Sequence, residues 1–567
     1  MKITKISLLF LALSLSALSG IAQTVRHLGD GNNIVTVDGK EPLLMLPIQE
    51  DAPEARVIIV KDFNPVQTLY VRLAQSRTDY MMPLDLYKAY GIKNQREAKT
   101  QNYSIKILGV QTDAICWKNL HTASTYDNKN HEKYRPEYHF TPAYGWMNDP
   151  NGMFYKDGTW HLFYQYNPYG SMWGNMHWGH ASSTDLIHWN QHSIAVEPDA
   201  WGAAFSGSCA IDHDNTAGFG KDAVIGFYTS AGERQTQSLI YSTDGGENFH
   251  KYEGNPVITS DQPDFRDPNF FWHEPTQRWI MLLAVGQELQ FFSSKDLKDW
   301  KKESSFGHIN EFDAPTLAAG YGNHSGVWEC PDMFELKFKN EKTKKEESKW
   351  VLICNINPGG PNGGSATQYF IGQFDGHKFI CEDEPEETKW MDYGKDHYAT
   401  VSFSGAPNDR HSVIAWMSNW QYANNVPTMQ YRSGNSIVRD PFLYQANGET
   451  YLGSRPATEY DEKGLDQVVK IKGSSTITLS NDEGEEFVII YDQKEMTLTI
   501  DRSKSGETAF SPDFAVPIVA PVHKKLTSLR FFIDRCSVEL FGNNGEVVMT
   551  NLAFPKSTFN KIEVSKN

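Results

Sequence analysis

Ser183-Thr184-Asp185-Leu186-Ile187-His188-Trp189 is a serine–aspartate turn that closes on an aromatic, and the same figure returns along the chain. Ser242-Thr243-Asp244-Gly245-Gly246-Glu247-Asn248-Phe249 and Ser294-Lys295-Asp296-Leu297-Lys298-Asp299-Trp300 follow the β-type runs Leu239-Ile240-Tyr241 and Leu289-Gln290-Phe291-Phe292. Phe374-Asp375-Gly376-His377-Lys378-Phe379 is a looser fourth copy. The aspartates at 185, 244, 296 and 375 lie 59, 52 and 79 residues apart. Four-stranded units repeating at such intervals are the mark of a β-propeller. Four copies within about 300 residues predict about five blades.

The chain on either side is also β-rich. Upstream, Ala55–Val60, Thr68–Leu73 and Tyr103–Leu108 predict strands of a small β-sandwich-like domain. The polar stretch Tyr126–Lys133 separates it from the repeats. Downstream, Val468–Ile471, Glu486–Tyr491, Leu529–Asp534 and Ser537–Phe541 predict a second sandwich, with Gly542-Asn543-Asn544-Gly545 as a hairpin turn. The expected division is a signal peptide at 1–22, an N-terminal domain at 23–133, a propeller at 134–442 and a C-terminal sandwich at 443–567.

At 567 residues the chain needs two or three domains. Its net charge of -17, with no basic concentration beyond the mixed Lys337–Lys349 run, makes nucleic acid and anionic membranes poor partners. Lys2 and Lys5 precede an apolar run from Ile6 to about Leu18, and Gly20-Ile21-Ala22 supplies small residues for a cut near Ala22–Gln23. This layout predicts export to the periplasm or medium, and the run is too short to span a bilayer. Six cysteines without CxxC spacing predict neither a zinc site nor a dense disulfide framework, and leave one or two bridges open. No metal or cofactor is expected.

Three carboxylates stand in unusual settings. Asp149 lies in Trp146-Met147-Asn148-Asp149-Pro150-Asn151-Gly152, at the mouth of an aromatic strand and stiffened by Pro150. Asp267 follows Arg266 in Phe265-Arg266-Asp267-Pro268-Asn269, and Glu329 lies in Trp328-Glu329-Cys330-Pro331-Asp332. On separate blades these residues can converge at the central funnel. Cleaving a glycosidic bond takes one ionised and one protonated carboxyl. Asp149, among Asn and backbone donors, is expected to stay ionised as nucleophile. Glu329, beside Trp and Cys in a less polar pocket, is expected to be raised and to act as acid and then base. Asp267, paired with Arg266, is expected to stay charged and hold sugar hydroxyls.

The strings WMNDPNG, RDP and WECP resemble those of glycoside hydrolase family 32, the invertase, inulinase and levanase group, and the likeness covers about residues 134–567. That resemblance implies a five-bladed propeller followed by a β-sandwich, retaining hydrolysis of β-fructosides and no cofactor. It implies Asp149 as nucleophile, Asp267 as transition-state stabiliser and Glu329 as acid/base. It also implies sugar contacts from Trp146, Asn148, Gln165, Trp173, Phe205, Ser206, Arg266, Tyr398 and Trp420. The strings Asp392–Ala399 and Trp416–Trp420 resemble motifs that finish the pocket, with Trp420 preferred over Trp416. The expected substrate is a fructan, a fructo-oligosaccharide or sucrose, cleaved from its end by a monomer, with a dimer as the alternative state. An endo-acting levanase or inulinase, a non-catalytic fructan-binding protein and an arabinan-cleaving furanosidase are the competing readings. Residues 23–133 fall outside the family pattern.

Overall fold

The structure is a computed structural model that describes residues 23–566 apart from 93–95, 97–98, 128–131, 308–321 and 385–386. The expected signal peptide lies outside the described residues. The chain divides into a compact unit ending at Tyr126 and a second beginning at Asp127. The first holds a five-stranded antiparallel sheet and a three-stranded one. Its strands alternate, as Ala55–Lys61 does by burying Val57 and Ile59 and exposing Arg56.

In the second unit five sheets, each built on a meander of antiparallel strands, follow one another along the chain. Their first strands are Gly145–Lys156, Ala203–Asp212, Phe265–His273, Val327–Lys339 and Tyr398–Ser402. Each of these packs on the next and the fifth packs on the first, so the sheets close into a ring around the first strands. Two parallel pairings seal the ring, Tyr431–Arg432 with Gly145–Trp146 and Phe154 with Ser404. This is a five-bladed propeller.

The four serine–aspartate figures are one structural element: the turn from the third to the fourth strand of blades one to four. In blade one the Asp185 carboxylate accepts from the Ile187 and His188 amides, and in blade three Asp296 does the same for Lys298 and Asp299. The tryptophan Nε1 of each turn then donates to a leucine carbonyl at 3.1 Å. Blade five lacks the figure. Its last strands, Arg439–Ala446 and Glu449–Pro456, form a hairpin instead, and the expected domain boundary at 442 falls inside the first of them.

Strand alternation also makes the inter-blade cores. Arg278–Val285 reads as one apolar run because both of its faces are covered. Trp279, Met281 and Leu283 pack with Phe227 and Leu239 of blade two, whereas Ile280, Leu282 and Ala284 pack with Leu352 and Cys354 of blade four.

A four-stranded and a five-stranded sheet, spanning Asp466–Lys566, form the C-terminal sandwich. The six cysteines are unpaired. Charge is buried where sandwich and propeller meet. Arg439 bonds Asp392 at 2.7 Å and also Glu539, and His139 bridges Asp534 and Glu539 at 2.8 Å each, all with side chains at zero or near-zero exposure. Arg502 pairs with Asp396 at 2.6 Å. Burial lowers the His139 pKa, but its bonds to the two carboxylates outweigh that and hold it up to about 9. Breaking one member of such a network leaves an uncompensated buried charge, at a cost of about 3–5 kcal/mol.

A pH dependence follows. The His139 value rises above its ordinary 6.5 on folding, so its contribution is complete below pH 6.5 and is lost as pH climbs through about 9. Denaturant melts of the wild type are expected to lose stability across that window. A His139→Gln variant, destabilised at pH 6.5, is expected to show a flatter profile there.

Candidate active site

All five first strands share one defect. At the same level in each blade the pairing with the second strand slips, so that two residues face one. The pairs are Asn148-Asp149 against Gln165, Phe205-Ser206 against Thr229, Asp267-Pro268 against Leu283, Cys330-Pro331 against Cys354 and Ala399-Thr400 against Ala415. In blades three, four and five the first bulge residue takes a positive φ, 63° at Asp267, 42° at Cys330 and 55° at Ala399. Such conformations cost roughly 1–3 kcal/mol each for a residue with a Cβ. Proline suits the second bulge position in blades three and four because a bulge leaves an amide unpaired.

The bulges converge on a cavity of about 210 Å³ lined by Asn148, Asp149, Gln165, Trp173, Phe205, Ser206, Arg266, Asp267, Glu329, Asn357 and Trp420. Asn148 Nδ2 donates to Asp149 Oδ1 at 2.9 Å, and Ser206 Oγ donates to Oδ2 at 2.8 Å. The Cys330 thiol lies 3.4 Å from Asp149 Oδ2 and 3.6 Å from Asp267 Oδ2, and the Cys330 amide donates to that same Asp267 oxygen at 3.0 Å. Burial and then the surrounding carboxylates push the thiol well up, so it is a neutral donor. Glu329 receives Arg266 Nε at 3.1 Å on one oxygen and the Tyr398 hydroxyl on the other.

Burial raises the Asp149 pKa, the charge of Glu329 raises it further, and bonds from Asn148, Ser206 and Cys330 pull it back. Burial likewise raises Asp267. Arg266 opposes that rise, and Glu329 and Asp149 add to it. Sequence reasoning had Arg266 keeping Asp267 charged. The guanidinium instead turns toward Glu329 and toward Asp264 at 2.5 Å, leaving Asp267 3.9 Å away. Glu329 was expected beside Trp328 and Cys330 in a less polar setting. Strand alternation turns the fully buried Trp328 to the other face, and the partners of Glu329 are Arg266 and Tyr398.

Ten of the twelve expected site residues line the cavity directly, and Tyr398 reaches it through Glu329. Two placements differ from the sequence reading. Trp146 is fully buried one layer back, where its Nε1 donates to Asn148 Oδ1 at 2.8 Å and its ring stacks on Trp420 at 5.9 Å. Tyr398 is only 1% exposed. Of the pair at 416–420, Trp420 faces the cavity and Trp416 lies buried beneath it. Within the string Asp392–Ala399, Tyr398 is the residue that reaches the site, and Asp392 and Asp396 face the sandwich.

Asn357 heads the Gly/Pro-rich loop 357–365, which reads in the sequence as a segment of the pocket rim, and it lines the cavity. Sequence reasoning missed the braces behind the bulges. Thr229 Oγ1 accepts from the Asp267 amide at 2.9 Å, and Asn355 donates to the Cys330 carbonyl at 2.9 Å while accepting from the Thr400 amide at 3.0 Å. Among the described residues no cluster of three or more His, Cys, Asp or Glu side chains is placed to hold a metal ion, and no helix is long and apolar enough to cross a membrane.

Paired carboxyls at the floor of a small aromatic-walled pocket define a glycosidase site on a propeller. The family model described as Glycosyl hydrolases family 32 N-terminal domain matches residues 139–456, and the model for the C-terminal domain of the same family matches 466–567. The chain belongs to glycosyl hydrolase family 32 and is a glycoside hydrolase. Residues 29–138 match a family described as a domain of unknown function. The levanase of Bacillus subtilis is 40% identical over 486 residues, covering 78% of this chain and 69% of its own. An extracellular exo-inulinase of Aspergillus niger is 35% identical over 501 residues, covering 75% and 90%. The crystal structure of the Aspergillus awamori exo-inulinase superposes with a TM-score of 0.68 at 32% identity, covering 77% and 96%.

Ser206→Ala is expected to remove a bond that favours the ionised Asp149, raising its pKa further. The acid limb of the kcat/KM–pH profile then moves to higher pH by about one unit, the scale of one hydrogen bond to a charge.

Proposed function

We propose that this protein is an exported, retaining β-fructosidase that removes terminal fructosyl units from fructans and sucrose. Its relatives include proteins named levanase, exo-inulinase and invertase. The observation that carries the exo mode is the cavity. At about 210 Å³ it is smaller than the ~300–1,000 Å³ typical of drug-sized ligand sites, which suits a single sugar ring. Phe205, Trp173 and Trp420 supply apolar wall, and Asn148, Gln165, Arg266 and Asp267 supply bonds for the ring hydroxyls. Export fits the charged and apolar opening of the sequence and the word extracellular in the name of the Aspergillus relative.

In the first step Asp149 attacks the anomeric carbon of the terminal fructosyl unit. The bond to the leaving oxygen breaks as Glu329 gives that oxygen its proton. Because the charge of Glu329 raises Asp149, the ionised nucleophile is best populated when Glu329 carries its proton. In the second step Glu329 takes a proton from water, whose oxygen displaces Asp149 and releases fructose. Asp267 holds ring hydroxyls, and Arg266 and Tyr398 fix the two oxygens of Glu329.

Asp149→Asn is expected to cut turnover by at least about 10⁴ with the fold intact, because no covalent intermediate forms. A variant keeping a tenth of wild-type activity contradicts the assignment. Glu329→Gln is expected to lose about 10²–10⁴ on sucrose and far less on an activated aryl fructoside, whose leaving group needs little protonation. Equal losses place the acid elsewhere. Early digests of inulin and levan are expected to contain fructose, and an early ladder of oligosaccharides would establish endo action.

A further inference from the structure

Of the fifteen tryptophans, all among the described residues, only Trp173 and Trp201 are exposed, at 44% and 51%. Trp173 is already part of the pocket wall, with its ring 6.2 Å from that of Phe205. Trp201 lies outside the pocket lining, in the turn that leads into the first strand of blade two, four residues ahead of Phe205. That end of the blade is the pocket end. Gln235, where the third strand of the blade begins, accepts from the pocket arginine Arg266 at 3.4 Å.

The turn is built to hold its shape. Asp199 and Gly202 exchange both backbone hydrogen bonds at 3.1 Å, and the Asp199 carboxylate accepts from the Trp201 amide at 2.8 Å. Lys251 Nζ anchors that carboxylate from behind at 2.7 Å. Gly202, at φ +121°, fits against the next turn of the blade so closely that a Cβ there would lie 2.2 Å from the Ala231 carbonyl. A large apolar side chain is thus carried on a rigid turn and kept in water, although burying it would favour folding.

We propose that Trp201 is an outer subsite on which a fructosyl unit of a polymeric fructan stacks while the chain's terminal unit occupies the pocket. The subsite rests on the β-fructosidase reading of the site. A neutral sugar ring offers an apolar C–H face, and an indole offers a broad flat surface that loses little freedom when covered. Phe205 lies four positions on from Trp201, so the two are at most about 13 Å apart along the chain. Sucrose has only one ring beyond the terminal fructosyl unit, whereas a polymer continues past the pocket mouth. The subsite therefore favours long chains over the disaccharide, and it acts through KM.

The test compares the full-length wild type with Trp201→Ala and Trp201→Phe, with melting temperatures checked for equality, on long-chain inulin, on levan and on sucrose. In Trp201→Ala the ratio of polymer to sucrose kcat/KM is expected to fall about fivefold to tenfold on at least one polymer, through KM, which is the scale of one aromatic contact. Trp201→Phe is expected to restore most of it. An unchanged ratio on both polymers in an active enzyme, or parallel losses on polymer and sucrose, would overturn the subsite and leave the β-fructosidase reading standing. A wild type that frees fructose from none of the three would overturn that reading and the subsite with it.

Discussion

A regular β-strand sends successive side chains to opposite faces, so it can present only every second residue to a pocket. This site needs neighbours in sequence on one face. Asn148 with Asp149, Phe205 with Ser206 and Arg266 with Asp267 all line one cavity, and each pair spans or adjoins a point where two residues oppose one. The repeated bulge is therefore the condition for the site. It costs backbone strain at Asp267, Cys330 and Ala399, and hydrogen bonds from neighbouring strands hold it. Thr229 of blade two braces the Asp267 bulge, and Asn355 of blade four ties the Cys330 bulge to Thr400 of blade five. The ring of blades is thus linked at the level where the chemistry lies.

Crowding acidic groups at that level has an electrostatic consequence. In a dry pocket burial disfavours ionisation, and each negative charge makes its neighbours harder to ionise. Arg266, held by Asp264 and Glu329, a neutral thiol between Asp149 and Asp267, and the donors Asn148 and Ser206 offset part of this. The sandwich contributes at a distance. Segment 392–398 is tied to it by the Asp396–Arg502 ion pair and by the Thr550 amide on Asp392, and the same segment delivers the Tyr398 hydroxyl to Glu329. A buried ionic interface and the orientation of the Glu329 carboxyl are thereby parts of one path.

Much of this was legible in the sequence because it is written in local chemistry. The aspartate turns satisfy their own backbone amides, so their residues recur where the third strand passes to the fourth in blades one to four, and the count of about five follows from their spacing. Blade five carries no copy because its hairpin turns on Asn447-Gly448. Asp149, Asp267 and Glu329 were visible because bulges at a funnel favour proline and stiff neighbours. What stayed hidden depends on contacts between distant strands. No local signal marks Thr229 or Asn355 as braces, tells that Arg266 prefers Glu329 to its own neighbour Asp267, or separates a tryptophan behind the pocket wall, Trp146, from one in it, Trp420.

The central claim is that Asp149 and Glu329 act from opposite sides of one anomeric carbon in two displacements. Transfer to methanol tests it directly, because the methyl fructoside formed cannot mutarotate and keeps the configuration set by the enzyme. Proton and carbon NMR of the products from sucrose in aqueous methanol is expected to find methyl β-D-fructofuranoside, the outcome of two successive inversions. Methyl α-D-fructofuranoside as the first-formed product would mean a single displacement, and would contradict the claim.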